Sequence, residues 1–544
     1  MLEGLIQDYQ LTLPAILRRA ETLYGYREIV TRVPDKSFHR YTYTGFVSRA
    51  KKLAVGLEKL GVGSGDRVGT LAPNTYQHLE AYFGVPSSGG VLHTINPRLH
   101  EDDLAYIVNH AEDKVLLVDE TLVEVLESFR EEVNVEHVVV FDYGDGPVPD
   151  GTTSYEELLA GADEGEFEYP ELDEKQAAAL CYTSGTTGRP KGALYSHRAI
   201  ALHSMMVALG NTLDLKETDC VLPVVPMYHV NAWGLPFAST LVGAKQMMPG
   251  VHLDAQNIIE DFEQEKVTLT AGVPTVYLPV LEALDEEAEE HDLSALRSMV
   301  IGGSAAPKGL IKAYKERHGI DVIHAWGMTE MSPIGTVSNL TSDLLELPED
   351  EQLNYKAKQG YPVPFIEIRA RDEETDEFVP WDDETMGELE VRGPWVASSY
   401  FKTEEGAEDF TEDGWFKTGD IVSIDEHGFI NIQDRDKDLV KSGGEWISSV
   451  QLENALMAHE AVAEAAVIAI PHEKWDERPL AVVVLKEGQE ATPEELQEHL
   501  EGDFAKFWLP DAYEFIEELP KTATGKFKKL ELREQFEGYQ FAQS

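Results

Sequence analysis

Between Tyr182 and Gly192 the chain reads Tyr-Thr-Ser-Gly-Thr-Thr-Gly-Arg-Pro-Lys-Gly. The hydroxyls of Thr183, Ser184, Thr186 and Thr187 can donate to phosphate oxygens, as can main-chain N–H groups. Gly185 and Gly188 let the backbone come close to a ligand, and Lys191 adds a point charge. The chemistry these types offer together is the holding of a phosphate. The plain alternative is a Ser/Thr-rich surface turn, which needs neither the glycines nor the lysine. The common NTPase loop ends in Gly-Lys-Ser/Thr, whereas Pro190-Lys191-Gly192 closes this one.

Other stretches could also carry chemistry. Val221 to Gly234 contains two prolines that interrupt regular structure and leave Tyr228, His229 and Trp233 near a turn, among the apolar Val230 and Ala232. Gly302 and Gly303, at the end of an apolar run, remove side-chain bulk where a ligand could slide past backbone; an ordinary strand-to-helix turn is the alternative. Trp326-Gly-Met-Thr-Glu330 follows a strand expected over Asp321 to His324. Gly419-Asp420 alone is a commonplace turn. Asp434 to Ser448 is charge-dense, with Gly443-Gly444 inside it, and suits a domain hinge. Lys526, near Lys528 and Lys529, is by itself an exposed cation.

The elements that must position these residues follow from periodicity. Ala177 to Cys181 suits a buried strand, and Ala193 to Met206 suits a helix, so the phosphate loop is expected between a strand and a helix N-terminus. Leu53, Leu57 and Leu60 recur at helical spacing up to Gly61. Arg67 to Leu71, Lys114 to Val118 and His137 to Phe141 read as strands. Helix–strand alternation of this kind implies α/β architecture with largely parallel, helix-covered sheets. Residues 143–174 read as a connection, and the chain from 449 on reads as α+β, with a capped helix starting at Thr492-Pro-Glu-Glu495.

At 544 residues, two or more domains are expected. Lysine plus arginine number 45 against 99 acids, a formal charge of −54 spread widely along the chain. That argues against nucleic acid as a partner. It also predicts strong self-repulsion in dilute buffer, screened at molar salt where the Debye length falls to about 3 Å. A salt-accumulating, halophilic cytoplasm is the expected setting. Cys181 and Cys220 alone give no disulfide framework or thiolate metal set. Neither a signal peptide nor a membrane-spanning run is read in the sequence.

Taken in order, these stretches resemble the motifs of the acyl-adenylate-forming (AMP-binding) superfamily over roughly the whole chain. Tyr228-His-Val-Asn-Ala-Trp233 and Lys441-Ser-Gly-Gly-Glu-Trp-Ile-Ser448 look most like the medium- and long-chain fatty acyl-CoA synthetases. The resemblance implies a large N-terminal domain with a β-rich subdomain over 1–433, a hinge at 434–440, and a small mobile α+β C-terminal domain over 441–544. It implies ATP, Mg²⁺ and CoA as co-substrates and cofactor. Thr183, Ser184, Gly185, Thr186, Thr187, Gly188 and Lys191 would hold the phosphates. Gly303, His324, Ala325 and Trp326 would wall the adenine, with Trp446 packing on the adenine side, and Thr329 would bond the α-phosphate. Asp420 and Arg435 would take the ribose, Lys437 would be the pivot, and Lys441 would approach the nucleotide. Thr183 and Glu330 would share the metal. Val230, Trp233, Gly302 and Gly303 would line the acyl pocket. Lys526, His229, Lys191 and Glu330 would be catalytic. Trp326 stands where the family usually has Tyr, and Ala325 where Gly is frequent.

The reaction so implied is a fatty carboxylate attacking the α-phosphate of ATP, then CoA thiolate attacking acyl-AMP. The aromatic-His segment holds no acid to pair with a substrate amine, so an amino-acid substrate is disfavoured. An aryl-CoA ligase, an enzyme loading a carrier protein, a luciferase-type oxygenase and a nucleotide-binding sensor are the rivals. The short segment after Lys526 leaves no room for a carrier domain. Similar long-chain enzymes are often homodimers, the expected assembly by analogy.

Overall fold

A computed structural model of the chain describes residues 4–144, 148–183, 189–286, 291–372, 375–435, 438, 440–442, 445–472, 475–501, 504, 506–521, 527–539 and 541. Of residues 434, 435, 441, 445, 446 and 476 it describes the backbone.

Among the described residues, strands gather into four sheets. One is seven-stranded, in the order Thr153–Ser154, His137–Phe141, Asp113–Asp119, Arg67–Leu71, Val91–Thr94, Ala177–Tyr182, Gly192–Ser196. All its pairings are parallel except the last. The second is nine-stranded, with a parallel centre running from Asp321–Gly327 to Glu28–Arg32 and antiparallel strands added at both ends. The central strands are buried on both faces: Val115, Leu116, Leu117 and Val118 have no exposed surface. This is why they read as unbroken apolar runs.

A four-stranded antiparallel sheet follows, from Glu367–Arg371 to Ile430–Arg435. A five-stranded sheet comes last, built from Val440–Ser442 onward and packed on its own core around Leu452, Val467, Val483 and Leu496. Thr492 caps the helix Pro493–Glu501 reciprocally: Glu495 N–H donates to Thr492 Oγ1 at 3.3 Å, and Thr492 N–H to Glu495 Oε2 at 2.8 Å. This last unit rests on Gln433, whose side-chain oxygen accepts from Gln451 Nε2 at 2.5 Å. No helix among the described residues is long and apolar enough to cross a membrane.

Three expectations change. Ala193 to Met206 is not one helix: Gly192–Ser196 is a strand antiparallel to Ala177–Tyr182, and the helix is His197–Val207. Ser196 decides the boundary, because its hydroxyl accepts the Ala199 N–H at 3.1 Å and caps the helix there. Residues 143–174 are more than a connection. They supply the edge strand Thr153–Ser154 and the helix Tyr155–Ala160, anchored by Tyr155 OH donating to buried Glu80 at 2.7 Å. Thr418-Gly-Asp420 is not a turn but lies inside the strand Phe416–Ile424, where the register against both neighbouring strands shifts.

Candidate active site

The strand ending at Tyr182 and the strand starting at Gly192 make the signature loop the tip of a hairpin. Its neck is closed twice. Thr183 N–H donates to the Lys191 carbonyl at 2.9 Å, and Lys191 N–H donates to Thr183 Oγ1 at 3.0 Å. The loop therefore leads into the strand Gly192–Ser196, not into the start of a helix. Ser184, Gly185, Thr186, Thr187 and Gly188 lie outside the described residues.

Lys191 and Glu330 arrive from distant segments and meet around Tyr400. Lys191 Nζ lies 4.4 Å from the centre of the Tyr400 ring and 3.4 Å from Asp409 Oδ2. The Tyr400 hydroxyl donates to Glu330 Oε1 at 2.7 Å. Burial, with Glu330 beside it, pushes the Tyr400 phenol well up, so it stays a neutral donor. Thr329 is fixed from behind, its carbonyl accepting Tyr195 OH at 2.5 Å.

Trp326 and Asp420 form a second pair. The indole N–H donates to Asp420 Oδ2 at 3.0 Å, and Asp420 N–H donates to Thr418 Oγ1 at 3.1 Å. Both side chains are buried. The ring of His324 is committed to backbone. Ala306 N–H donates to its Nε2 at 3.3 Å, so its Nδ1–H faces the Ala357 carbonyl at 2.9 Å. Burial lowers its pKa to about 4, which keeps this neutral form. His324 thus ties down the turn at Ala306, with both ring nitrogens meeting backbone.

The aromatic-His segment has an unusual backbone. Val230, Asn231, Ala232 and Trp233 all have positive φ, from 46° to 56°, ahead of Gly234 at 75°. Each such non-glycine residue costs about 1–2 kcal/mol, so packing must hold the turn. Asn231 Oδ1 accepts from Cys181 Sγ at 3.6 Å, and burial pushes that thiol up to about 11, leaving it an unreactive core residue. The turn lays the Trp233 indole over Gly302 and Gly303. A Cβ on Gly302 would sit 3.2 Å from Trp233 Cη2 and 2.7 Å from the Ala325 carbonyl oxygen, and one on Gly303 would sit 3.8 Å from Trp233 Cζ2. The two glycines thus make the recess, and Trp233 fills it. Half-buried His229 leads into this turn, with Val230 buried beside it.

The model of the AMP-binding enzyme family matches residues 18–401, and that of the AMP-binding enzyme C-terminal domain matches residues 451–526. The chain belongs to this family. It is 51% identical to a long-chain-fatty-acid–CoA ligase of Thermus thermophilus over 98% of this chain and 97% of that one. It is 41% identical to a medium-chain-fatty-acid–CoA ligase of Ectopseudomonas oleovorans, over 98% and 97%. Its fold is similar to that of an anthranilate CoA ligase, AuaEII, solved with anthranoyl-AMP: TM-score 0.86 at 29% identity, covering 97% of this chain and 98% of that one.

Within this AMP-binding enzyme, Lys437 and Lys526 lie outside the described residues. Arg435, Lys441 and Trp446 are placed by backbone alone: Arg435 is the cross-strand partner of Asp420, and Lys441 that of Trp446. Sequence reasoning missed Tyr400, Asp409 and His203. His203 is buried under Gly234, accepts the Ile334 N–H at 3.2 Å and is lowered by burial to about 3. Its place inside an apolar helix face gave no signal. Tyr400 stands between the strands Gly387–Arg392 and Phe416–Ile424, in a stretch with no periodicity to mark it.

Proposed function

We propose that this chain is an ATP-dependent acid–thiol ligase that converts a medium- or long-chain fatty acid to acyl-CoA through acyl-AMP, releasing AMP and pyrophosphate. The observation that carries the reading is the placing of Lys191 over the ring face of Tyr400 and of Glu330 at its hydroxyl. A cation for phosphate and a carboxylate for its counter-ion are then held in one site. The fatty preference draws on the apolar turn with Trp233 over Gly302 and Gly303, and on the chain-length names of the two curated relatives.

The first step is positioning and charge neutralisation. The acid is already ionised at neutral pH, so no protein base is needed. Lys191 and the signature hydroxyls would hold the β- and γ-phosphates, which leave as pyrophosphate. Thr329 would bond the α-phosphate, and Asp420 and Arg435 the ribose, with the Trp326 indole beside the adenine. Lys526 would bridge the substrate carboxylate and the α-phosphate. Glu330 and Thr183 offer oxygen donors only, one carboxylate and one hydroxyl, and Oε1 of Glu330 is already oriented by Tyr400. That donor set fits Mg²⁺, which takes few protein oxygens and completes its shell with phosphate and water. When bound, the ion would supply charge neutralisation at the polyphosphate.

In the second step CoA thiolate attacks the acyl carbonyl and AMP leaves. Lys526 would block that approach, so we assign residues 1–433, 434–440 and 441–544 to an adenylation domain, a hinge and a lid that rotates about Lys437. A cytoplasmic, homodimeric enzyme of a halophile completes the reading.

The test is pyrophosphate release at molar KCl, with and without CoA, over acids from acetate to palmitate plus benzoate. CoA-stimulated turnover peaking at medium or long aliphatic acids is expected. A peak at benzoate would replace the fatty reading with an aryl one.

A further inference from the structure

Lys191 already has a partner before any phosphate arrives. Asp409 lies on the turn Ala407–Asp409, its Oδ2 3.4 Å from Lys191 Nζ. The turn is rigidly seated. Asp409 N–H donates to the Gly406 carbonyl at 3.1 Å, and Phe410 packs between Tyr400 (5.4 Å, edge to face) and Phe416 (5.2 Å).

Gly406 shows how closely the group is fitted. At φ 80° it takes a conformation that suits glycine. A Cβ there would lie 2.6 Å from Lys191 Nζ, 2.7 Å from Tyr400 Cε2 and 2.9 Å from Asp409 Oδ2. The Gly406 backbone comes close to the ammonium, the ring and the carboxylate alike. Lys191 Nζ thus has a ring face and a carboxylate, both anchored on the stretch Tyr400–Phe410.

A polyphosphate that recruits Lys191 competes with this carboxylate for the ammonium. We propose that Asp409 is a positioning residue: the resting counter-ion of Lys191, exchanged for the ATP phosphates on binding and restored when pyrophosphate leaves. Asp409 then weakens nucleotide binding and speeds product departure. It holds the Lys191 ammonium over the Tyr400 ring while the site is empty, and competes with pyrophosphate for the same ammonium afterwards. The exchange moves one ion-pair partner and breaks no covalent bond. The inference rests on the reading above that Lys191 meets phosphate.

The experiment measures, on the full chain at molar KCl, ATP affinity by titration without acid substrate and the inhibition constant of pyrophosphate in the forward reaction. Asp409 is about one-third exposed on its turn, so Asp409→Asn and Asp409→Ser should both fold; melting temperature checks this. Both variants are expected to bind ATP and pyrophosphate about two- to fivefold more tightly, the scale of a partly exposed ion pair. Asp409→Glu should return toward the parent values. In a Lys191→Ala background the Asp409 effect should vanish. Unchanged or weaker ATP binding in both folded Asp409 variants, with Lys191→Ala still weakening it, overturns the proposal and leaves the phosphate role of Lys191 standing. An Asp409 effect that persists without Lys191 also overturns it. If Lys191→Ala itself leaves ATP and pyrophosphate binding unchanged, the parent reading falls and the proposal with it.

Discussion

The indole N–H of Trp326 donates to Asp420 Oδ2 at 3.0 Å, joining the end of a strand in the parallel-centred sheet to an inner strand of the antiparallel one. The residue expected to take the ribose is thereby oriented by the residue expected to wall the adenine. Asp420→Ala removes the carboxylate and strands a buried N–H. A stability loss of about 1–3 kcal/mol is expected, with a rise in KM for ATP of about tenfold or more from the lost charge-assisted bonds. Trp326→Phe keeps the ring but releases the carboxylate, and should show the smaller KM change. Thermal melts and initial rates against ATP check both.

Gly302 has no room for a methyl group. Gly302→Ala brings a Cβ to 2.7 Å from a backbone oxygen and 3.2 Å from the Trp233 ring. Backbone cannot yield cheaply, so a loss of about 1–3 kcal/mol is expected. Turnover should fall for every acid, and most for the longest chains. Chain-length profiles of parent and variant test this. An unchanged profile would remove Gly302 from the acyl recess.

Acid should destabilise the fold through its buried histidines. Burial lowers His78, His197 and His324 to about 4 and His203 to about 3. Unfolded, each titrates near 6.5. Between these values the unfolded chain binds more protons, so stability is present above about 6.5 and is lost as pH falls toward the folded values. Each contributes up to about 1.4 kcal/mol per pH unit in that window. Asp261 opposes them. Its carboxyl is raised by burial to about 7, so its contribution is present at low pH and is lost as pH rises through 7. Burial raises Glu80, Asp113, Asp119 and Asp142 in the same sense as Asp261, so denaturation at pH 7, 6 and 5 should show a fall smaller than the histidines alone would give, and His324→Gln should flatten it further.

The formal charge of −54 makes stability a function of salt. Raising KCl from 0.1 M to molar concentration contracts the Debye length from about 10 Å to about 3 Å. The melting temperature should rise markedly over that range, and activity with it. Full activity and an unchanged melting temperature without added salt would refute the halophilic reading.

The assignment of Lys526 separates the two half-reactions. Lys526→Ala should abolish acyl-AMP formation yet still convert supplied acyl-AMP to thioester when CoA is added. Equal loss of both steps would remove the lysine from the first. Pyrophosphate release and thioester formation, measured separately on the same preparation, decide it.

The sequence by itself determined the architecture and the chemical class. Continuous apolar runs such as Lys114 to Val118 and His137 to Phe141 announced strands buried on both faces, because a parallel sheet covered by helices leaves no polar side to alternate with. Hydroxyl, glycine and lysine between Thr183 and Lys191 gave the expectation of a phosphate loop, since those types act locally along the chain. The tertiary structure decided what local types cannot encode. Gly192 to Ser196 became a strand because Ala177–Tyr182 offered a free edge, which no propensity of Ala-Leu-Tyr could reveal. Tyr400 reaches Glu330 across 70 positions and Asp409 reaches Lys191 across 218. Residues so far apart leave no spacing to read, and only the packing of the stretch Tyr400–Phe410 against the hairpin brings them within a few ångströms.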